Sequence, residues 1–299
     1  MLWGDCFAAL ALAADRTSTI KLGTGVTSTD TRHPTVVAAA FESLQELSGG
    51  RMIMGLGAGA GMGHLINEKT TPRSKIKHDV EMMRALIDGD WWDFDGRRAR
   101  MMRNGAGQPP VYIAAGGPKQ AALTGEIADG VILPFGTAID ALRAGIAELD
   151  PGLEASGRTI EAIDVATSAH FCVTDDPERD AARVKPFACL LAHGSGRDYL
   201  AASGIEVGDP STLAAPYPGI AHSQDEAEAI RIASTIVSDE AAARFGQHFG
   251  LFGTAENIRE RTSNLRSAGV NHLILRAYSS YRLPIDEMEQ FADIVLRYR

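Results

Sequence analysis

The sequence predicts an α/β protein built on a parallel β-sheet, because short apolar segments alternate with amphipathic helical ones. The apolar segments lack a polar face, which is typical of parallel strands that are covered on both sides. Several of them run into a glycine-rich turn just before a predicted helix. Strands are predicted at residues 20–26, 51–56, 111–114, 130–133, 164–173 and 272–277. This alternation fits either a closed (β/α)8 barrel or an open, doubly wound sheet.

The expected helix ends follow from prolines, capping side chains and glycines. Proline is favoured at the first helical position, Ser and Thr cap helix starts, and glycine is common just past a helix end. Gly49 and Gly89 are therefore expected to end two of the helices. Helices are predicted to start at Pro34, Ser74, Pro118, Thr137, Ser223 (with Glu226 as a capping box), Thr254 and Pro284. The last helix is expected to bury one apolar face, made of Ile285, Met288, Phe291 and Val295.

We expect a single domain over residues 1–299 with a helical insertion at residues 176–253, where no strand pattern is clear. An α/β barrel of about 250 residues is commonly one domain. A closed barrel needs eight strands, and fewer are visible here. The chain enters directly into the helix before the first visible strand. The barrel is therefore expected to be incomplete at its N-terminus.

Composition narrows the classes of function. The formal net charge is −9 and the pI is about 5.4, which argues against a nucleic-acid partner because phosphates attract basic surfaces. No apolar run is long enough for a transmembrane helix, and the start lacks a cationic segment before its apolar stretch. The 3 cysteines lie far apart, which favours reduced thiols and a cytoplasmic protein.

Glycines at strand ends are the feature most suggestive of ligand binding. Ala115, Gly116 and Gly117 follow one strand and precede Pro118, so their N–H groups could meet a phosphate at a helix N-terminus. Gly136 and Thr137 follow the next strand, and we expect them to share that phosphate. Plain tight turns are the structural alternative.

The segment Gly55–Ala60 matches the spacing GxGxxA of dinucleotide-binding loops. Such a loop needs an acidic residue at the end of a second strand about 20 residues further on. Here that position falls in a predicted helix, so a loop that lines a cofactor pocket is the favoured interpretation. A purely structural turn stays open.

Histidines offer candidates for acid–base chemistry because their pKa lies near neutrality. His33 lies in a loop after the first visible strand, where it could contact substrate or simply bond within the loop. His170 lies inside a predicted strand, either facing a pocket or packed. No histidine or cysteine has the spacing of a metal site, so no metal is expected.

Several segments together resemble the bacterial luciferase-like monooxygenase superfamily. Within it, the sequence is similar to the deazaflavin-dependent branch that includes methylenetetrahydromethanopterin reductase. The resemblance is densest between Leu10 and Leu133. It rests on Ile20–Val26, Thr31–Pro34, Leu47–Arg51, Gly55–Gly59, Val111–Lys119 and Gly125–Leu133.

The resemblance implies a (β/α)8 barrel with a late helical insertion and a flavin-like ring at the carboxyl ends of the strands. It implies a non-proline cis peptide behind the ring, for which Gly25–Val26 is the matching place. The phosphate loop maps to Ala115, Gly116 and Gly117, and the next strand end to Gly136 and Thr137. The implied pocket lining is Thr24, Gly57, Ala58 and Gly59. Family members usually begin with two further strands, which this sequence lacks.

The expected function is hydride transfer between reduced coenzyme F420, an 8-hydroxy-5-deazaflavin, and a small organic substrate, with His33 as the catalytic candidate. FMN is the alternative coenzyme, and it would open monooxygenase chemistry. A non-catalytic barrel remnant that binds a ligand or partner is the alternative of another class. A homodimer is expected from family habit, with no membrane or nucleic-acid partner.

Overall fold

The computed structural model describes residues 4–59, 70–103, 105–193, 196–214, 219–279 and 281–297. The chain divides into two compact units. Unit 1 comprises Met1–Ile132 and Gly145–Val165, and unit 2 comprises Leu133–Ala144 and Ala166–Arg299. The expectation of one domain over residues 1–299, with a helical insertion at residues 176–253, stays a prediction.

The elements alternate between strand and helix through the first half of the chain. They are α1 (Cys6–Arg16), β1 (Leu22–Gly23), α2 (Pro34–Ser48), β2 (Met52–Leu56), α3 (Arg73–Asp88), β3 (Trp92–Phe94), β4 (Arg97–Ala99), β5 (Val111–Ala114), α4 (Pro118–Ile127), β6 (Gly130–Leu133), α5 (Ile139–Ala147) and α6 (Asp150–Ala155). The second half holds β7 (Asp164–Val173), α7 (Pro177–Asp180), α8 (Lys185–Leu191), α9 (Gly196–Ala202), α10 (Glu226–Ala233), α11 (Asp239–Phe249), β8 (Gly250–Gly253), α12 (Ala255–Ser267), β9 (His272–Arg276) and α13 (Ile285–Phe291).

Unit 1 contains a parallel sheet in the order β1-β2-β5-β6. The register places Leu22 opposite Met52, Met54 opposite Val111, and Tyr112 opposite Gly130. Because these strands are parallel, their carboxyl ends lie at one edge of the sheet. The apolar stripes of α2 and α3 bury against the same core, as the 3.6-residue pattern predicts.

Two glycines allow the backbones of α4 and α6 to touch. A Cβ built on Gly125 would lie 2.4 Å from the carbonyl oxygen of Leu149. One built on Gly152 would lie 1.7 Å from the carbonyl oxygen of Ala122. No side chain larger than hydrogen fits at either position without moving a helix, so this contact fixes α4 against α6.

Unit 2 has β7 as a central strand with parallel neighbours on both sides. His170 lies opposite Gly250 of β8, and Ala166 lies opposite His272 of β9. Strand β8 was not expected, because residues 176–253 were predicted to be helical throughout. The described residues between 176 and 249 form helices and loops without a strand, whereas the short Gly-Leu-Phe-Gly segment that follows pairs with β7.

Several predicted helix starts are confirmed. Pro34 and Pro118 occupy first helical positions, and Gly49 ends α2 in the left-handed conformation with φ of 66°. Thr254 caps α12 and forms a capping box with Asn257.

Other predicted starts are wrong. Helix α3 begins at Arg73 after Pro72, so Ser74 lies inside it. Asp225, and not Ser223, caps α10 by accepting from the N–H of Glu228 at 2.9 Å. An aspartate two residues after the predicted serine is an equally good cap, and the sequence does not rank the two.

The last helix does not bury the face that its pattern predicts. Ile285 is 48% exposed and Met288 is 58% exposed, whereas Phe291 contacts Phe171 edge-on at 5.3 Å. Thr137 also fails as a helix cap, because its hydroxyl bonds elsewhere. Of the helices in the part of the chain that the structure describes, none combines the length and apolarity needed to cross a membrane.

Candidate active site

The loop after β1 and the loop after β2 are joined by backbone hydrogen bonds at the carboxyl edge of the unit 1 sheet. The N–H of Thr27 donates to Gly55 at 2.9 Å, and the N–H of Gly57 donates back to Thr27 at 2.9 Å. The peptide bond between Gly25 and Val26 is cis, at the place that the resemblance implies. The two backbone hydrogen bonds hold Val26 beside the loop after β2.

A shallow surface of small and apolar residues lies where these loops meet the end of β5. A Cβ built on Gly57 would lie 2.6 Å from Cγ2 of Val26 and 3.9 Å from Cβ of Ala114. Val26 is 42% exposed, and Ala58 and Gly59 are half-buried. With so few bulky side chains, this surface can accept a flat ring.

The hydroxyl of Thr24 bonds to the neighbouring strand β2 and is therefore not available to a ligand. Its hydroxyl donates to the carbonyl of Gly55 at 2.6 Å and accepts from the N–H of Gly55 at 3.1 Å. The side chain is 9% exposed. The predicted pocket-lining role of Thr24 is therefore limited to its backbone, and it stays a prediction.

A polar network that the sequence analysis missed fixes these loops from behind. Asp79, 3% exposed on α3, accepts from the hydroxyl of Thr29 at 2.5 Å and from Nζ of Lys75 at 2.5 Å. Asp30 accepts from the hydroxyl of Thr71, and the N–H of Thr71 donates to Ala58 at 2.9 Å. Lys75 and Asp79 share a helix face at i and i+4, which was the available signal. Ala60 of the GxGxxA match lies outside the described residues.

The turn between β5 and α4 leaves backbone donors available. The N–H of Ala115 donates to Ile132 at 3.0 Å within the sheet, so Ala115 is already satisfied. Among the described residues, no acceptor takes the N–H groups of Gly116 or Gly117, and Gly117 gives α4 no side-chain cap. A helix N-terminus with free N–H groups attracts anions.

The turn after β6 lies in unit 2 and is closed instead. Gly136 has φ of 64°, and a Cβ built there would lie 2.5 Å from the carbonyl oxygen of His248. The N–H of Thr137 donates to His248 at 2.7 Å, and its hydroxyl bonds the carbonyl of Gly250 at 3.0 Å. The guanidinium of Arg261 donates to the same hydroxyl at 2.7 Å. A phosphate at Thr137 would have to displace these bonds, so that predicted role has no support in the geometry.

His33 caps a helix. Its Nδ1 accepts from the N–H of Thr35 at 3.3 Å and lies 2.8 Å from the Thr35 hydroxyl. The ring is exposed, and these bonds stay within the first turn of α2. This is the structural alternative that the sequence left open, and the catalytic role stays a prediction. In the described residues, no group of three or more His, Cys, Asp or Glu side chains is placed to hold a metal.

Comparisons with known proteins show what the chain as a whole is similar to. The chain is 28% identical over 284 residues to a 5,10-methylenetetrahydromethanopterin reductase of Methanolobus tindarius, covering 90% of this chain and 81% of the relative. It is 34% identical to an F420-dependent glucose-6-phosphate dehydrogenase of Nocardia farcinica, covering 56% of this chain and 54% of the relative. The solved structure of a coenzyme F420-dependent tetrahydromethanopterin reductase from Methanopyrus kandleri matches with a TM-score of 0.76 at 22% identity, covering 98% of this chain and 87% of that one.

The structural match confirms the α/β barrel type of fold that the resemblance implies. The model of the luciferase-like monooxygenase family matches residues 2–272. The expectation of an oxidoreductase of this kind is thereby confirmed, and the chain belongs to the luciferase-like monooxygenase family.

Proposed function

We propose that this protein transfers a hydride between reduced coenzyme F420 and a small organic substrate. The relatives support this choice, since the Nocardia farcinica and Methanopyrus kandleri proteins are both named as F420-dependent. The substrates in their names differ, so they do not define the substrate of this chain. The proposal includes a cytoplasmic homodimer, and the free thiols of Cys6, Cys172 and Cys189 are compatible with a reducing compartment.

The observation that carries the proposal is the uncapped start of α4 beside the small-residue surface. Gly116 and Gly117 present N–H groups that no described residue accepts. Ala114, at the end of the preceding strand, belongs to the same surface as Val26 and Gly57. An aromatic ring on a tether that carries a phosphate therefore fits this part of unit 1, with the ring over Val26 and the phosphate at Gly117.

The redox chemistry belongs to the coenzyme, which would carry two electrons and a proton as a hydride. The chain's own residues would position it. Gly57 lets Val26 pack closely against the loop after β2, and the exposed side of Val26 would support one face of the ring. The hydrogen bonds of Asp79 to Thr29 and of Asp30 to Thr71 would help to hold the two loops in place. The N–H groups of Gly116 and Gly117, with the partial positive charge of α4, would hold the phosphate.

FMN-dependent monooxygenation is the second candidate, and the family description favours it. FMN also carries a ring and a phosphate, so the same surface fits it. A remnant that binds a ligand or partner without turnover is the third candidate. Direct titration separates the three.

The test is a fluorescence titration of the purified protein with F420 and, separately, with FMN. We expect F420 to bind more tightly than FMN. In Gly117→Asp the new carboxylate caps α4 and places a negative charge at its start. We expect at least tenfold weaker binding, a change of about 1.4 kcal/mol, with unchanged thermal stability.

Gly117→Asn is the matched control, because it offers the same cap without the charge. We expect a smaller loss, about threefold or less. Equal F420 affinity in wild type and Gly117→Asp would exclude the phosphate from this turn. Tighter binding of FMN would favour the monooxygenase, and binding of neither coenzyme would favour the remnant.

A further inference from the structure

Unit 2 contains a small cavity that the proposed coenzyme surface does not use. It measures about 150 Å³, which is close to the size that holds one benzene ring. Phe187, Phe245 and Phe249 provide aromatic walls, and Ser168, His170 and Arg276 provide the polar ones. His170 of β7 lies directly opposite Arg276 of β9 in the parallel register.

Arg276 is exposed and lines this cavity. Among the described residues, no carboxylate pairs with its guanidinium and no group accepts a hydrogen bond from it. The surrounding protein desolvates it and lowers its pKa. Arg183 in the same unit shows the usual alternative, since it pairs with Glu226 at 3.2 Å and lies 3.9 Å from Glu287. Because Arg276 is exposed, an anionic partner can reach its guanidinium from solution.

His170 supplies a second, independent sign of a missing partner. The side chain is 2% exposed, and its Nδ1 has no hydrogen-bond partner among the described residues. Its ring lies between Phe187, at 4.1 Å, and Tyr278, at 5.4 Å. Burial and, secondarily, the charge of Arg276 lower the pKa of His170 to about 3, so the imidazole is neutral near pH 7. A neutral imidazole in the appropriate tautomer can donate a hydrogen bond to an oxyanion.

Buried polar atoms in folded proteins nearly always have a partner, and those that lack one require an explanation. Among the described residues, the buried Nδ1 of His170 lacks a partner, and the exposed Arg276, which no described carboxylate pairs with, lines the same aromatic cavity. One ligand satisfies both: a small molecule with an apolar ring or branched group that carries a carboxylate or phosphate.

We infer that this cavity is the site for an anionic substrate, whose carboxylate or phosphate binds Arg276 and His170 while its apolar part packs against the phenylalanines. The hydroxyl of Ser168 lies on the same wall and can add a hydrogen bond. That the ligand is the substrate rests on the proposed function. The binding of an anion in the cavity does not.

The test uses fluorine NMR of 4-fluorobenzoate, with 4-fluorobenzamide as an uncharged analogue of the same shape. Wild-type protein without coenzyme is titrated with each. We expect benzoate to bind at least tenfold more tightly than benzamide. Arg276→Met should remove this preference, and Arg276→Lys should retain part of it.

Arg266→Met is the matched control, because Arg266 is exposed in the last turn of α12 outside the cavity. It should bind benzoate like the wild type. Thermal unfolding of each variant confirms that it is folded. Equal binding of the two probes to wild type, or unchanged benzoate binding in Arg276→Met, would overturn the inference.

A second measurement identifies the source of the anion. F420 and its chromophore without the phosphate-bearing tail are titrated into wild type and Arg276→Met. If Arg276 serves a substrate, both affinities stay within twofold of wild type. Selective loss of F420 affinity would assign Arg276 to the coenzyme tail and overturn the substrate assignment. Failure of F420 to bind at all, with benzoate binding retained, would reject the proposed function and leave the anion site standing.

Discussion

Two turns with the same sequence signal behave differently in the two units. Each places glycine after a parallel strand and before a helix. After β5, no described residue accepts from the N–H groups of Gly116 and Gly117. After β6, the N–H of Thr137 is taken by His248, which lies 111 residues further along the chain, and Gly136 packs against the same carbonyl. The comparison shows that a glycine turn can offer N–H groups to an anion only where no distant segment already accepts from them.

The largest expected difference in stability is between two glycine-to-alanine variants, one in each turn. Gly136→Ala should destabilise the protein by about 2–5 kcal/mol, because the residue would be left-handed and would collide with the backbone at His248 and Phe249. Gly117→Ala should stay within about 0.5 kcal/mol, since its Cβ would meet nothing within 4 Å. Urea unfolding of both variants measures the difference. Similar losses in the two would contradict the contrast between an open and a closed turn.

The units also differ in how they bury a titratable side chain. In unit 1, Asp79 has Lys75 and Thr29 as partners, whereas in unit 2 His170 is buried with its Nδ1 unpaired. The folded-state pKa of His170, about 3, lies below the unfolded value. Stability from this neutral side chain is therefore complete above about pH 6.5 and is lost as the pH falls toward 3.

At pH 5 the loss should be about 2 kcal/mol relative to pH 7. His170→Phe keeps a flat ring but cannot titrate, so its stability should fall less between these pH values. Denaturant midpoints of wild type and variant at pH 7, 6 and 5 give the comparison. His222 and His248, whose pKa values burial also lowers, are present in both proteins and cancel. Parallel pH profiles would mean that His170 is not the group responsible.

The smallest expected effect concerns the hydroxyl of Thr137. Thr137→Val keeps the shape and removes the bonds to Gly250 and Arg261, which should cost about 1–2 kcal/mol. F420 affinity should not change, because this hydroxyl is structural. A loss of affinity above threefold with unaltered stability would instead place a phosphate at Thr137 and would remove the contrast between the two turns.

Much of the fold was predictable because it depends on local signals. Pro34, Pro118 and the Thr254 cap act within a few residues, and each helix start was located correctly. Most strands lie close to their predicted ranges, whereas the first, predicted at residues 20–26, is limited to Leu22–Gly23. Strand β8 was missed because its short apolar centre is flanked by glycines, and only pairing with β7 makes it a strand. The prediction of a buried face on α13 was wrong for a related reason, because a periodic pattern defines an apolar face but not the element that covers it.

For the candidate site, the sequence located the ends of the strands, whereas the binding roles of the residues there stay predictions. The strand ends near Val26, Gly57 and Gly117 were identified, because glycine and small residues mark a close approach of backbone and ligand. The hydrogen bonds of the Thr24 and Thr137 hydroxyls were not predicted, because both hydroxyls bond to backbone from distant parts of the sequence. The sequence did not single out Arg276, because whether a charged side chain has a partner can be judged only once its neighbours in the fold are known.

The contact between Gly125 and Gly152 has a consequence for engineering this protein. Helix α4 begins after the Gly116–Gly117 turn and is held at its other end by a contact between its main chain and that of α6. Side chains can repack after a substitution, but two main chains in contact cannot adjust unless a helix moves. A mutagenesis library intended to change the coenzyme preference should therefore keep both glycines constant, although neither belongs to the proposed ligand surface. The randomised positions should lie in the loops after β1 and β2.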